Sequence, residues 1–147
     1  MKKTILIFAA ICLLMSGFAQ NSNQPVKFDP MLYDVLTPER IELYQAETPS
    51  KLWDINYDLL HIGYVSSELP ETYVMMDNIC NHVSPGKTCN TAEMIASKKF
   101  NRFHYSIQSD EHKYVVYPID NTGFYVIILP NDLYFQQKQE AMKKAGF

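Results

Sequence analysis

The spacing of apolar residues changes along this chain, and each change marks a boundary. Residues 5–14 form an unbroken apolar run behind Lys2 and Lys3. Between residues 37 and 64 the spacing becomes helical. Thr37 is placed as an N-cap, Pro38 at the first helical position and Glu39 near the positive end of the dipole, with Ile41, Leu43 and Tyr44 as apolar contacts. Pro49 is expected to stop this helix and Ser50 to cap a second. In that second helix Leu52, Ile55, Leu59 and Ile62 form one stripe, and Trp53, Tyr57, Leu60 and Tyr64 form its neighbour. Lys51, Asp54, Asp58 and His61 fall on the remaining, polar side.

From Gly63 the period shortens. Residues 63–67 and 72–79 read as extended, separated by the Leu69-Pro70 turn. Asn90 or Thr91 caps a short helix running to Lys99, with Glu93 as capping-box partner. Residues 103–108 alternate like a strand, and 109–113 make a charged turn. Residues 114–119 and 124–129 flank Asp120-Asn121-Thr122-Gly123, the signature of a hairpin with a four-residue loop. Both of these strands are apolar at odd and even positions, so both sheet faces should be covered. Pro130 ends the second strand, and Asn131 is the expected cap of a closing helix carrying Leu133, Tyr134, Met142 and Ala145. The order of elements predicts an α+β domain: a mostly antiparallel sheet with helices packed on it.

The N-terminal run changes what counts as the domain. Ten apolar residues are too few for a spanning helix, which needs about 20. A cationic start, a short apolar stretch and the small residues Gly17 and Ala19 make residues 1–19 a cleavable secretory signal, leaving Gln20 as the new N-terminus. Cys12 lies inside the apolar run behind Ile11, the wrong context for a lipid anchor. The signal resembles those of Gram-negative bacteria, so the expected location is the periplasm or the extracellular space. Residues 20–27 are polar and read as a flexible lead-in, and 28–147 as one domain.

Composition then narrows the partners. Loss of the signal removes two lysines and leaves eleven Lys and Arg against sixteen Asp and Glu, a formal charge of −5. That balance argues against nucleic acid and anionic membranes, which select basic stripes. The one basic cluster, Lys98, Lys99 and Arg102, reads as a solvated edge.

Cys80 and Cys89 are the cysteines left after processing. An even pair in an oxidising compartment, bracketing residues 81–88 with Pro85-Gly86 at the bend, reads as a structural disulfide; a redox dithiol would have the tighter Cys-x-x-Cys spacing. The stapled loop presents Asn81, His82, Ser84, Lys87 and Thr88 as a candidate contact surface. The histidines His61, His82, His104 and His112 lack the short paired spacing of metal ligands, so no metal and no cofactor is expected. Nucleophile elbows, phosphate loops and dinucleotide fingerprints are absent from the sequence, and no catalytic residue is assigned. The sequence therefore favours a non-catalytic, exported binding domain whose partner is another protein or a second copy. The alternative is a small secreted hydrolase or carbohydrate-binding protein with a site near His82, His104 and Asp110, the last two joined by Glu111 and His112 across a turn.

Overall fold

The computed structural model describes residues 28–147; the expected signal peptide and lead-in lie outside them. Four α-helices, α1 (Pro38–Glu47), α2 (Pro49–His61), α3 (Thr91–Ser97) and α4 (Asn131–Ala145), accompany four strands, β1 (Gly63–Ser66), β2 (Tyr73–Met75), β3 (Tyr114–Pro118) and β4 (Tyr125–Ile128). The strand order is β1-β4-β3-β2. β1 and β3 each run antiparallel to β4, whereas β2 joins β3 in parallel. The α+β class is as the sequence predicts, with a mixed sheet in which antiparallel pairing predominates. No helix among the described residues is long and apolar enough to cross a membrane.

Helix starts show where local chemistry decides. Thr37 caps α1 by accepting the Arg40 N–H at 3.4 Å, with Pro38 at the first helical position. Ser50 does not cap α2. That helix begins at Pro49 with Thr48 at the N-cap position and no side-chain cap, because a proline lacks only a donor that the first turn leaves unpaired anyway. Asn90 caps α3 through the Glu93 N–H, and its amide donates to the Glu93 carboxylate. Asn131 is likewise not the cap of α4. The N–H groups of Asn131 and Asp132 donate instead to the carbonyls of Asp110 and Glu111, so the turn before β3 satisfies the helix start. Gly146, at φ 84°, closes α4, with its own N–H and that of Phe147 returning to Lys143 and Met142.

Two apolar clusters follow. Leu32, Leu36, Ile41, Leu52 and Leu59 join α1 and α2 to the 3-10 turn Pro30–Asp34. The larger one gathers Val65, Val115, Tyr117, Val126 and Ile128 on one sheet face with Ile79, Met94, Phe100 and Tyr105. The register puts Tyr73, Met75, Tyr114, Val116, Tyr125 and Ile127 on the other face. Val116 and Ile127 there are fully buried, so the doubly apolar strands do have both faces covered at their centre. Gly63 begins β1 where nothing larger fits: an added Cβ would stand 2.5 Å from the Ile127 carbonyl oxygen and 3.0 Å from the Phe100 ring.

The segment expected as a strand over 103–108 is not one. Arg102–His104 is a 3-10 turn because the Asn101 side chain accepts the Phe103 N–H at 3.1 Å. Beyond it only Tyr105 bridges to Val83, and the Gln108 N–H goes to the Tyr117 hydroxyl at 2.7 Å. Likewise, residues 72–79 yield a strand of only three residues. Met76 donates to the Val116 carbonyl, but its own carbonyl would next face Pro118, which has no N–H to give.

Candidate interaction surface

The cysteine pair lies where β2 leaves the sheet. The sulfurs of Cys80 and Cys89 stand at disulfide distance, with Cα atoms 5.4 Å apart. Asn78 starts the intervening 3-10 turn Ile79–His82 by accepting the Cys80 N–H, and its amide donates to Asp120 at 2.5 Å. The loop itself is built as a reverse turn: Lys87 donates to the Ser84 carbonyl, Pro85 occupies the first corner and Gly86 takes φ 77° at the second. Those are the residues a type II turn demands. The Ser84 N–H donates to the His104 carbonyl and the Ser106 N–H to the His82 carbonyl, fastening the loop's base to the segment after α3.

Of the five loop residues singled out in the sequence, Asn81, Lys87 and Thr88 are exposed and His82 and Ser84 half-buried. Asn81 and His82 both reach back to Asp77, at 2.9 and 2.6 Å. The Asn81 amide first, and His82 with it, hold the Asp77 carboxyl below its usual range. The His82 ring also meets the buried Tyr117 ring in a T-shaped contact, 5.0 Å between centroids. Loop and β2 exit therefore form one continuous surface.

His82, His104 and Asp110 have separate partners. His104 meets the Asn101 amide and lines a cleft with Asp34, Glu93, Lys99 and Tyr105. Burial there pushes its pKa down, helped by Lys87 and opposed by Asp34 and Glu93. Asp110 accepts the N–H groups of His112 and Lys113 and serves as a turn anchor, while His112 pairs with Asp132 at 3.1 Å. Among the described residues, no three His, Cys, Asp or Glu side chains gather as metal ligands. In the basic cluster Lys98 and Lys99 are exposed and Arg102 half-buried; Lys99 pairs with Asp29 at 2.6 Å, Lys98 lies over the Phe124 ring and Arg102 over the Phe103 ring.

What the sequence did not reveal is the condition of β2. It is the last strand of the sheet, and all three of its side chains are exposed: Tyr73 by 36%, Val74 by 38% and Met75 by 45%. Since Met76 donates toward β3 and donors alternate along a strand, the N–H and C=O groups of Tyr73 and Met75 point away from the sheet. The opposite edge differs, because the β1 residue Val65 donates to the Lys98 carbonyl and so is partly covered. The aromatic ridge of α2 offers no comparable platform. Trp53 stacks on Tyr57 at 5.0 Å and Tyr57 packs against His61 at 4.4 Å, so the rings cover one another's faces. No protein-family model, curated protein or solved structure matches the chain.

Proposed function

We propose that this chain is a non-catalytic, exported protein-interaction domain, and that it engages its partner along the outer edge of β2 and the adjoining stapled loop. The observation that carries this reading is an open strand edge whose side chains are apolar and exposed, on a molecule whose other edge is partly covered. Soluble proteins blunt exposed edges with lysine, proline or a covering loop; β2 contains neither lysine nor proline, and among the described residues no backbone group bonds to its outer edge. An open edge of this kind accepts an extended segment by main-chain hydrogen bonding, with pockets or rims for alternate side chains. The loop adds polar groups at the end of β2, and its turn and cysteine staple leave little ordering entropy to be lost on binding.

Photo-crosslinkers at positions 75 and 87 of the exported protein in its native cells test the proposal. The captured protein, purified, should bind wild type and lose affinity for Met75→Pro, which removes one outward N–H and no ladder bond. Loss on His82→Ala with Lys87→Ala would bring in the loop. The opposing reading, a hydrolase or carbohydrate-binding protein, draws on the His104 cleft. It is supported instead if hydrolysis or glycan binding is abolished by His104→Ala and no crosslinked protein reconstitutes.

A further inference from the structure

The charges around β2 select among the possible occupants of its edge. Glu68 and Glu71 precede the strand, Asp77 follows it, and Asp120 lies beside the Asn78 turn at its far end. The cation nearest in register is Lys113, next to Tyr114 on β3, and its neighbours are Asp110 and Glu111. Asp77 keeps its negative charge exposed on the surface although Asn81 and His82 both bond to it. An apolar centre is thus bracketed by carboxylates at both ends.

That arrangement disfavours a second copy of this chain. Antiparallel pairing of two β2 strands about Val74 sets Tyr73 against Met75 and brings the bend at Glu71 of one copy toward the bend at Asp77 of the other. Carboxylates brought together at the ends of a strand pair repel, and the symmetry of such a pair repeats the repulsion at both ends. Opposite charges at the same positions stabilise pairing and also steer the encounter.

We infer that the occupant of the β2 edge is an extended segment of a different protein, apolar or β-branched at its centre and carrying Lys or Arg on both flanks. The inference rests on the strand-addition reading above. The central residues of the segment exchange hydrogen bonds with Tyr73 and Met75, whose side chains share one face with Tyr114 and Tyr125. Its flanking cations meet Glu71 and Asp77, and their contribution weakens as salt is raised.

The experiment is selection of a displayed library of random twelve-residue peptides on the immobilised purified protein. Selected peptides are then synthesised and titrated against variants. The expected winners have β-branched or aromatic centres with Lys or Arg flanks. They lose binding to Met75→Pro, and bind about tenfold more weakly to the double variant Glu71→Lys, Asp77→Asn, whose introduced amide can still bond His82. Winners that need Met75 but lack basic flanks, or that ignore the charge changes, overturn the partner chemistry and leave strand addition standing. No enrichment, or winners indifferent to Met75→Pro and to Met75→Lys, overturns strand addition itself. A dimer in sedimentation equilibrium that Met75→Pro dissociates overturns the inference in favour of self-pairing.

Discussion

The Nζ atom of Lys138 lies 2.6 Å from a carboxylate oxygen of Asp58, tying the last helix to the second. Asp54 receives the same ammonium at 2.5 Å, and the Tyr134 hydroxyl also donates to Asp58. Only 16% of the Lys138 side chain is exposed. Burial by itself would lower the Lys138 pKa, but the two carboxylates outweigh it and hold the ammonium above its ordinary range. Burial first, and then the bond to Asp58, push the Tyr134 hydroxyl up as well.

Two outcomes follow from this clamp. Lys138→Met should cost about 1–2 kcal/mol in urea unfolding at pH 7, below the 3–5 typical of a fully buried pair, because Asp54 is half exposed. Both raised groups hold extra protons in the folded state, so their stabilising contribution is complete below pH about 10 and is lost as pH climbs beyond it. Tyr134→Phe should flatten part of that alkaline loss. An unchanged pH profile for this variant would mean that neither burial nor Asp58 raises the hydroxyl in the folded protein.

The cysteine pair should be oxidised in protein recovered from the periplasm or medium. Thiol labelling of denatured, unreduced material is expected to find neither Cys80 nor Cys89 free. Replacing both by serine should cost about 2.5–3 kcal/mol on the chain-entropy scale for a loop this short. Two labelled thiols would refute the bridge.

Gly63→Ala should be more damaging than Gly86→Ala, although neither lies in a helix. At Gly63 the new methyl meets the Ile127 carbonyl and the Phe100 ring, and overpacking of that kind costs about 1–3 kcal/mol. At Gly86 nothing stands within 4 Å and only the left-handed backbone is penalised, by about 1–2 kcal/mol. Thermal melts of the two variants decide it, and a milder effect at position 63 would contradict the packing described for β1.

Export is tested by mass. Protein recovered from the periplasm or medium should begin at Gln20, open or cyclised to pyroglutamate. Recovery of a chain retaining residues 1–19 would contradict the cleavage expected after Ala19.

The sequence carried the class of the fold because its strongest signals are local. Thr37-Pro38, the Leu52–Leu59 stripe and the Asp120–Gly123 loop each specify their own geometry, and the structure follows them. It was less informative where long-range partners intervene. Asn131 and Ser50 look like caps, but a distant carbonyl pair satisfies the start of α4, and α2 already begins at Pro49, before Ser50. Asp54 and Asp58 look like a solvated stripe until Lys138 arrives from 80 residues away. Tyr73-Val74-Met75 is apolar at every position and reads only as extended, with nothing to mark it as an edge. Its exposure follows from its place at the end of the sheet and from Pro118 cutting its ladder short, neither of which is encoded in those three residues.

Amide hydrogen exchange at Tyr73 and Met75 tests the central claim most directly. In the free protein their outward N–H groups should exchange fast, while Met76, which donates to Val116, is protected. On binding the reconstituted partner, or a selected peptide, Tyr73 and Met75 should slow by at least about tenfold, as new ladder donors do. Unchanged exchange at both positions, with protection gained around His104 or along α2 instead, would contradict the account.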